Sequence, residues 1–370
     1  MKKSNLVILL VFIISINLVA QENASLKTRK VQITFAYPIG SNGIDASNYS
    51  NNFSFNILYG LNGGVNGFEL GSILNYNKGE VIGFQLAGVS NFTTDNSKGF
   101  SLSGVANICN GKTGGVGISG ILNYSKQVSS GFQLSGVSNI CSDSTSGLFL
   151  SGVLNYSNHD SKGFQLATVN VTADKITGFQ LGVINYAREL NGVQFGIINI
   201  LNDGGQGLPI GIFSIAKNGF FEFEVTGGEV IYSNLNYKMG VERFYTVFKA
   251  GYSVYENNPV YSYGIGFGSS IPISEKHEIN IDLSGNGIVY NNKWNSDLNL
   301  LNKVDFSYKY SVTEKLSLLV GPSFNVYIAK EKVTDGYGTL NIPYTIYKSE
   351  WTSGKISMWI GFNAGLSFKI

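Results

Sequence analysis

One short phrase recurs about ten times between Gly67 and Ile215, with a nearly fixed period. Its clearest copies read GFQLAGVSN at 83–91 and GFQLSGVSN at 131–139. The glycines that open the copies are 16 residues apart along most of this stretch and 14 or 15 apart at its end: Gly67, Gly83, Gly99, Gly115, Gly131, Gly147, Gly163, Gly178, Gly192 and Gly207. A fixed period is the signature of a repeat architecture, in which every unit adopts the same local structure. The period indicates an architecture and no chemistry, so no substrate follows from it.

Each copy alternates in the manner of a β-strand. In the copy at 132–140, Phe132 and Leu134 lie on one face of such a strand, and Gln133 and Asn139 lie on the other. One face is therefore apolar and the other is small and polar. The variable tail of each copy is polar and reads as a turn. A helix is disfavoured because Gly, Asn, Ser and β-branched residues are poor helix formers, and a period of two fits better than 3.6.

Two architectures accommodate such strands. In a membrane-spanning barrel, consecutive strands run antiparallel, the apolar face contacts lipid, and each strand needs about 9–11 residues. In a solenoid, consecutive copies run parallel and equivalent residues stack. A tail of about six residues spans about 20 Å, which is too short to return along a nine-residue strand of about 30 Å unless each unit folds as two shorter strands. The residue after the Asn alternates between an aliphatic residue and Tyr in successive copies: Ile108, Tyr124, Ile140 and Tyr156. This alternation favours a repeat of two copies, each forming one strand of an antiparallel hairpin.

The two architectures predict different neighbours for the same residue. We predict antiparallel pairing, which places Phe132 beside Tyr124 and Tyr156. Parallel stacking would instead place Phe132 beside Val116 and Leu148 at about 4.8 Å per strand.

The segments that flank the repeats extend the same interpretation. Two strands are predicted before the repeats, at 31–37 and 53–59, and eight longer strands from Gly219 onward. Tight connections at 272–276 and 311–314 alternate with long polar ones, which is typical of bacterial outer-membrane barrels. We therefore predict an all-β fold: an antiparallel up-and-down transmembrane β-barrel of about 20 strands, within a range of 16 to 22.

The first 20 residues read as a secretory signal peptide, because two lysines precede a short apolar run and a small residue. The mature chain, 21–370, is predicted to be a single barrel domain, with tandem repeats at 67–215 and longer closing strands at 219–370. Once the signal peptide is removed, 24 basic and 24 acidic residues remain. A net charge near zero argues against nucleic acid as a partner.

Two segments resemble known families. The copies GFQLGVIN at 178–185 and GVQFGIIN at 192–199 resemble bacterial surface-repeat proteins built from tandem Gly-x-Gln-x-Gly-x-x-Asn units. This resemblance covers about two fifths of the chain. It implies a secreted or surface location and transfers no catalytic residue. The final segment, 360–370, resembles the C-terminal strand of outer-membrane β-barrel proteins, which the outer-membrane assembly machinery reads, although Ile370 rather than an aromatic residue is last.

No constellation for chemistry is visible in the sequence. The two histidines, His159 and His277, are predicted to lie in or beside turns, and a zinc site or catalytic triad needs several convergent ligands. Cys109 and Cys141 occupy equivalent positions two repeat units apart. Strands two apart in a sheet are separated by about 9.6 Å, which exceeds the Cα–Cα distance that a disulfide allows. We therefore predict free thiols. We predict no catalytic, cofactor-binding or metal-binding residues and no enzyme activity. An outer-membrane lipase or protease is the third hypothesis.

The leading functional hypothesis is an outer-membrane β-barrel protein of a Gram-negative bacterium, acting as a passive pore or a surface scaffold. Its expected partners are outer-membrane lipid and the assembly machinery, with small solutes as the cargo of a pore and no nucleic acid. The alternative is an extracellular β-solenoid repeat adhesin with a C-terminal eight-strand barrel as its anchor. In the pore, these neutral side chains would line the lumen: Gln85, Asn91, Gln133, Asn139, Asn155 and Gln165.

Overall fold

The computed structural model describes residues 26–255, 258–290, 297–330, 332–333, 336–338 and 340–370, and the predicted signal peptide lies outside them. Apart from one 3-10 helix at Gly43–Asn48, the regular elements in these ranges are β-strands. The strands form two large assemblies, a largely parallel solenoid and an antiparallel barrel, together with one separate two-stranded sheet.

The solenoid contains β1 (Lys27–Ala36), β2 (Ile39–Gly40), β3 (Tyr49–Asn62), β4 (Gly64–Gly71), β5 (Leu74–Asn77), β6 (Val81–Ala87), β7 (Ser90–Thr93), β8 (Ser97–Ser103), β9 (Ala106–Cys109), β10 (Thr113–Ser119), β11 (Leu122–Ser125), β12 (Ser129–Ser135), β13 (Ser138–Cys141), β14 (Thr145–Ser151), β15 (Leu154–Ser157), β16 (Ser161–Leu166), β17 (Val169–Leu181), β18 (Ile184–Gly205) and β19 (Leu208–Ala216). The strands that follow it are β20 (Phe220–Gly228), β21 (Ser233–Val241), β22 (Phe244–Tyr255), β23 (Asn258–Ser274), β24 (His277–Tyr290), β25 (Asn299–Ser311), β26 (Leu316–Ala329), β27 (Lys332–Val333), β28 (Gly336–Tyr337), β29 (Tyr347–Trp351) and β30 (Gly354–Lys369).

The repeats pair in parallel, so the prediction of antiparallel pairing is wrong. Strand β12 lies between β10 and β14, and Phe132 is the register partner of Val116 and of Leu148. Tyr124 and Tyr156 both pair instead with Ile140. The repeats therefore form stacked coils and contribute no strands to a barrel.

The physical reason is that each unit folds as two short strands rather than one long one. In one unit, β12 has seven residues and β13 has four, with a bend at Gly136 between them. The chain therefore turns back on itself within the unit, and the short polar tail has to cover only a fraction of the distance that a nine-residue strand would require. This arrangement permits parallel stacking with a period of 16 residues.

The eight long strands predicted after the repeats are present, and they form a closed antiparallel barrel of their own, as in the alternative hypothesis of a C-terminal eight-strand barrel. Strands β20 to β26 pair with their neighbours in sequence, β26 pairs with β30, and β30 closes the barrel by pairing with β20. Strand β29 extends the β30 hairpin outside the ring. The barrel therefore has eight strands, and the predicted barrel of about 20 strands does not form because the repeats stack separately.

The two ends of the barrel differ in their connections. Tight turns at 241–244, 274–277 and 311–316 lie at one end, which we call the tight-turn end. The strand ends that the two long connections join, Tyr290 with Asn299 and Ala329 with Gly354, lie at the other end, which we call the long-loop end. The chain leaves the solenoid at Ala216 and enters β20 at Phe220, so the solenoid is attached at the tight-turn end.

Candidate functional site

The interior of the barrel contains charged side chains that form close ion pairs. Lys238 is fully buried, and its Nζ lies 2.8 Å from a carboxylate oxygen of Glu224 and 2.8 Å from one of Asp282. The Tyr245 hydroxyl donates a hydrogen bond of 2.7 Å to the other oxygen of Asp282. Such pairing is necessary, since an unpaired charge is costly to bury.

A second group of charges lies further along the lumen. Asp305 accepts from Lys249 at 2.6 Å and from the Asn363 amide at 2.7 Å, and Lys303 lies 3.3 Å from the same carboxylate. The gap beside these side chains measures about 30 Å³, which holds about one water molecule. An eight-strand barrel is only wide enough for side chains to fill, and charged side chains fill this one.

An apolar cluster closes the barrel at its long-loop end. Trp359 and Tyr327 are fully buried, and Leu340 from the long connection packs against them. The Trp359 indole N–H donates a hydrogen bond of 2.6 Å to Glu229. Buried apolar side chains therefore fill the lumen at this end.

The outer wall of the barrel has the opposite polarity. In β20, Glu222, Glu224 and Thr226 point inward, while Phe223 and Val225 are 43% and 51% exposed on the outside. The same alternation runs along the other strands. The outward positions at least 36% exposed include Tyr261, Tyr263, Ile265, Phe267, Leu283, Phe306, Tyr308, Leu318, Phe324, Phe362 and Leu366. An apolar outer wall around a polar interior is the pattern of transmembrane β-barrels.

The solenoid is also polar inside, and this interior contains the residues that were predicted to line a lumen. The structure places all six within the stacked coils, each at most 6% exposed: Gln85, Asn91, Gln133, Asn139, Asn155 and Gln165. They lie in columns along the solenoid axis rather than around the lumen of a barrel. The gap among the central coils measures about 30 Å³.

The asparagines form a continuous ladder. The Asn139 side-chain amide donates to the Asn155 side-chain oxygen at 3.0 Å and to the Leu150 carbonyl at 2.8 Å, and its own oxygen accepts from Asn123 at 2.9 Å. Because every coil repeats these contacts, each buried amide has partners on both sides. The recurring Asn of the sequence thus ties each coil to the next.

A second column begins with a carboxylate. Glu69 is fully buried and accepts hydrogen bonds from Asn56 and Asn62 on one oxygen and from Asn77 and Gln85 on the other. Burial raises the pKa of Glu69 to about 6, although the four amide donors partly oppose that shift. A carboxyl group is thus buried near the N-terminal end of the solenoid, where amide groups rather than a cation are its partners among the described residues.

The outer surface of the solenoid divides into two edges. The segments that connect successive coils are polar, and we call them the polar turns: 78–80, 94–96, 110–112, 126–128, 142–144 and 158–160. The bend between the two strands instead exposes an aliphatic side chain in nine coils, and the exposed Thr168 takes that place in the coil between those of Val153 and Val183. The nine aliphatic residues, 37% to 51% exposed, form the apolar corner: Ile73, Val89, Val105, Ile121, Val137, Val153, Val183, Ile197 and Ile212.

The last coil of the solenoid packs against the outer wall of the barrel. The Thr246 hydroxyl donates a hydrogen bond of 2.7 Å to the Gly211 carbonyl, and the Phe213 ring stacks on Phe248 with centroids 5.7 Å apart. Thr246 and Phe248 both lie on the outward face of β22. The end of the apolar corner shares a groove with the outward rings of Phe244 and Phe267.

The remaining candidates from the sequence occupy unremarkable positions. Cys109 and Cys141 are buried and free, as predicted, each as the last residue of a short strand. His159 lies in a polar turn, where a hydrogen bond of 3.0 Å to Asp174 raises its pKa. Among the described residues, no cluster of His, Cys, Asp or Glu could hold a metal ion, and no helix could cross a membrane.

The barrel charges were missed in the sequence. Their signal was the alternation of acidic and apolar residues in β20, where Phe221, Phe223 and Val225 alternate with Glu222 and Glu224. The scan against protein-family models finds no match for this chain, and the search of curated proteins finds none either.

Proposed function

We propose that this protein is an outer-membrane repeat protein whose C-terminal barrel anchors the solenoid to the membrane. One observation carries the proposal: the barrel wall is apolar and aromatic on the outside and charged on the inside. In a soluble barrel, the outer wall would be polar and the core apolar. The strands, from 9 to 17 residues long, meet or exceed the about 9–11 residues that a tilted strand needs to cross the hydrocarbon layer.

The same geometry argues against the passive pore. Buried ion pairs fill the middle of the barrel, and the cluster around Trp359 fills its long-loop end. A conducting channel needs a continuous water-filled path, and such paths belong to barrels of 16 or more strands. The eight-strand barrel therefore serves as an anchor and scaffold. We propose neither transport of small solutes nor catalysis.

Export and membrane assembly complete the proposal. The apolar segment within residues 1–20 would direct export, and β30 would be the strand that the outer-membrane assembly machinery reads, since it closes the ring between β20 and β26. Outer-membrane lipid is then the principal partner. An extracellular adhesin requires the solenoid outside the cell, whereas its attachment at the tight-turn end favours the periplasmic side, where bacterial barrels place their short turns.

Cell fractionation and channel recording of the full-length protein test this function. We expect the protein in the outer-membrane fraction, resistant to alkaline extraction, with faster gel mobility in unheated SDS than after boiling because the barrel stays folded. Planar bilayers containing the refolded protein should show no channels. Extraction by alkali would contradict the anchor, and regular conductance steps would restore the pore hypothesis.

A further inference from the structure

The outer surface of the solenoid is layered in the same order as a membrane interface. Every charged residue from Lys78 to Asp203 lies in a segment that joins successive coils or within two residues of one. Aromatic side chains come next at many of the outward strand positions, although aliphatic residues such as Val116 and Ile140 take the equivalent place in other coils. Where aromatic residues are adjacent, their rings stack between coils, as in Phe164 with Phe179 at 5.4 Å and Tyr76 with Phe92 at 5.0 Å.

Beyond the aromatic positions, the first strand of the coils carries Leu or Ile, as at Leu134, and the second strand carries Leu in some coils and Ser in others, as at Leu154 and Ser138. The apolar corner follows, where small residues such as Gly136 precede each aliphatic residue. Charge, aromatic ring and aliphatic chain thus follow one another from the polar turns to the corner. Membrane proteins show this order from water through the headgroups to the acyl chains. A surface that is exposed only to water has no physical requirement for such an order, because its surroundings are uniform.

The apolar corner is long and continuous with the barrel wall. The ten coils from Ile73 to Ile212 are separated by nine steps of about 4.8 Å, which gives a stripe of roughly 40 Å. Thr168 interrupts the stripe at one coil, where its hydroxyl donates a hydrogen bond of 2.8 Å to the Gly152 carbonyl. Its last members, Val183, Ile197 and Ile212, line the groove that Phe244 and Phe267 complete on the outward wall of the barrel. Surfaces that meet in this way would lie in the same medium, and for the barrel wall that medium is lipid.

The backbone at the apolar corner is compatible with an apolar medium. The amide of Gly136 donates to the Ser119 carbonyl at 3.2 Å, and the amide of Val153 donates to the Val137 carbonyl at 3.0 Å. Lipid offers no hydrogen bonds, so backbone groups within it must be paired inside the protein. The stacked coils meet this requirement at the corner, as a barrel does by closing.

We propose that the apolar corner of the solenoid is immersed in the acyl chains of the periplasmic leaflet of the outer membrane, beside the barrel, while the polar turns face the periplasm. The inference rests on the proposed function, because it takes the barrel as the membrane anchor. Lipid is then the ligand of the repeats, and the periplasmic leaflet is the one that holds them. The leaflet follows from the attachment of the solenoid at the tight-turn end.

Spin labels on one coil test the depth. Cys109 and Cys141 are first replaced by Ser, the residue that occupies the same slot at Ser125 and Ser157. Ile121→Cys then places a nitroxide at the apolar corner, and Lys126→Cys places one in the polar turn of the same coil. In proteoliposomes, we expect the label at 121 to collide more with oxygen than with a water-soluble nickel complex, and the label at 126 to show the reverse.

A third label separates failure of this inference from failure of the anchor. Leu283→Cys lies on the outward barrel wall and should give a lipid signature if the barrel spans the membrane. A lipid signature at 283 with a water signature at 121 would overturn the lipid-bound solenoid and leave the anchor intact. Spin–spin broadening at 121, with access to neither reagent, would identify a second copy as the occupant and would also overturn the inference. A water signature at 283 would remove the anchor itself.

Labelling of intact cells tests the leaflet. The Lys126→Cys variant is treated with a membrane-impermeant maleimide before and after the outer membrane is permeabilised. We expect labelling only after permeabilisation, because the polar turns face the periplasm. Labelling of untreated cells to the same extent would place the solenoid outside the cell and overturn this assignment.

Discussion

At the residue scale, Glu69 couples the stability of the solenoid to pH. Burial raises its pKa to about 6, above the usual 4.5, so the folded chain holds this proton more tightly than the unfolded chain does. The stabilisation is fully present below about pH 4.5 and is lost as the pH rises through about 6.

We expect the free energy of unfolding to fall by about 2 kcal/mol across this window, and Glu69→Gln to remove that fall. Urea unfolding in detergent from pH 4 to 7.5 measures it, with the exposed Asp95→Asn as control. Equal pH slopes in Glu69→Gln and the parent protein would contradict the assignment.

At the scale of one element, the opening glycine of each coil explains why the repeat is so regular. Gly147 has a φ of 124°, and a Cβ built there would lie 2.1 Å from the carbonyl oxygen of Gly131 on the preceding coil. A side chain would therefore cost backbone strain of about 1–3 kcal/mol and also push the coils apart. Gly147→Ala should lower the unfolding midpoint in urea and increase amide exchange in β12 and β14. The exposed neighbour provides a matched control, since Ser146→Ala should leave both unchanged. Similar stability of the two variants would show that the coils tolerate the added methyl group.

The same element shows how far sequence reasoning reaches. Alternation correctly predicted strands, and the period correctly predicted repeating units. The predicted direction of pairing is wrong because the prediction requires 132–140 to be one strand, and a bend at Gly136 divides this segment into two strands. That bend depends on close backbone contact between coils, where Gly136 lies against the Gly120 carbonyl, and a single copy does not reveal such a contact. Gln133 and Asn139 are correctly predicted to share a polar face. Whether that face lines a barrel lumen or the interior of a solenoid depends on the direction of pairing.

At the scale of the whole molecule, the membrane proposal predicts how a charge on the barrel wall acts at different depths. Leu283 is 59% exposed near the middle of β24, and Ile273 is 60% exposed beside the tight turn that precedes β24. Their equal exposure means that a water-soluble barrel would tolerate Arg equally at both sites. In a bilayer, Arg costs about 2–4 kcal/mol at the midplane and about 0–1 kcal/mol near the interface. We therefore expect Leu283→Arg to lower the free energy of unfolding in vesicles by that larger amount, and Ile273→Arg to have little effect. Equal effects of the two substitutions in vesicles would contradict a membrane-spanning barrel, because only a lipid medium distinguishes the two positions.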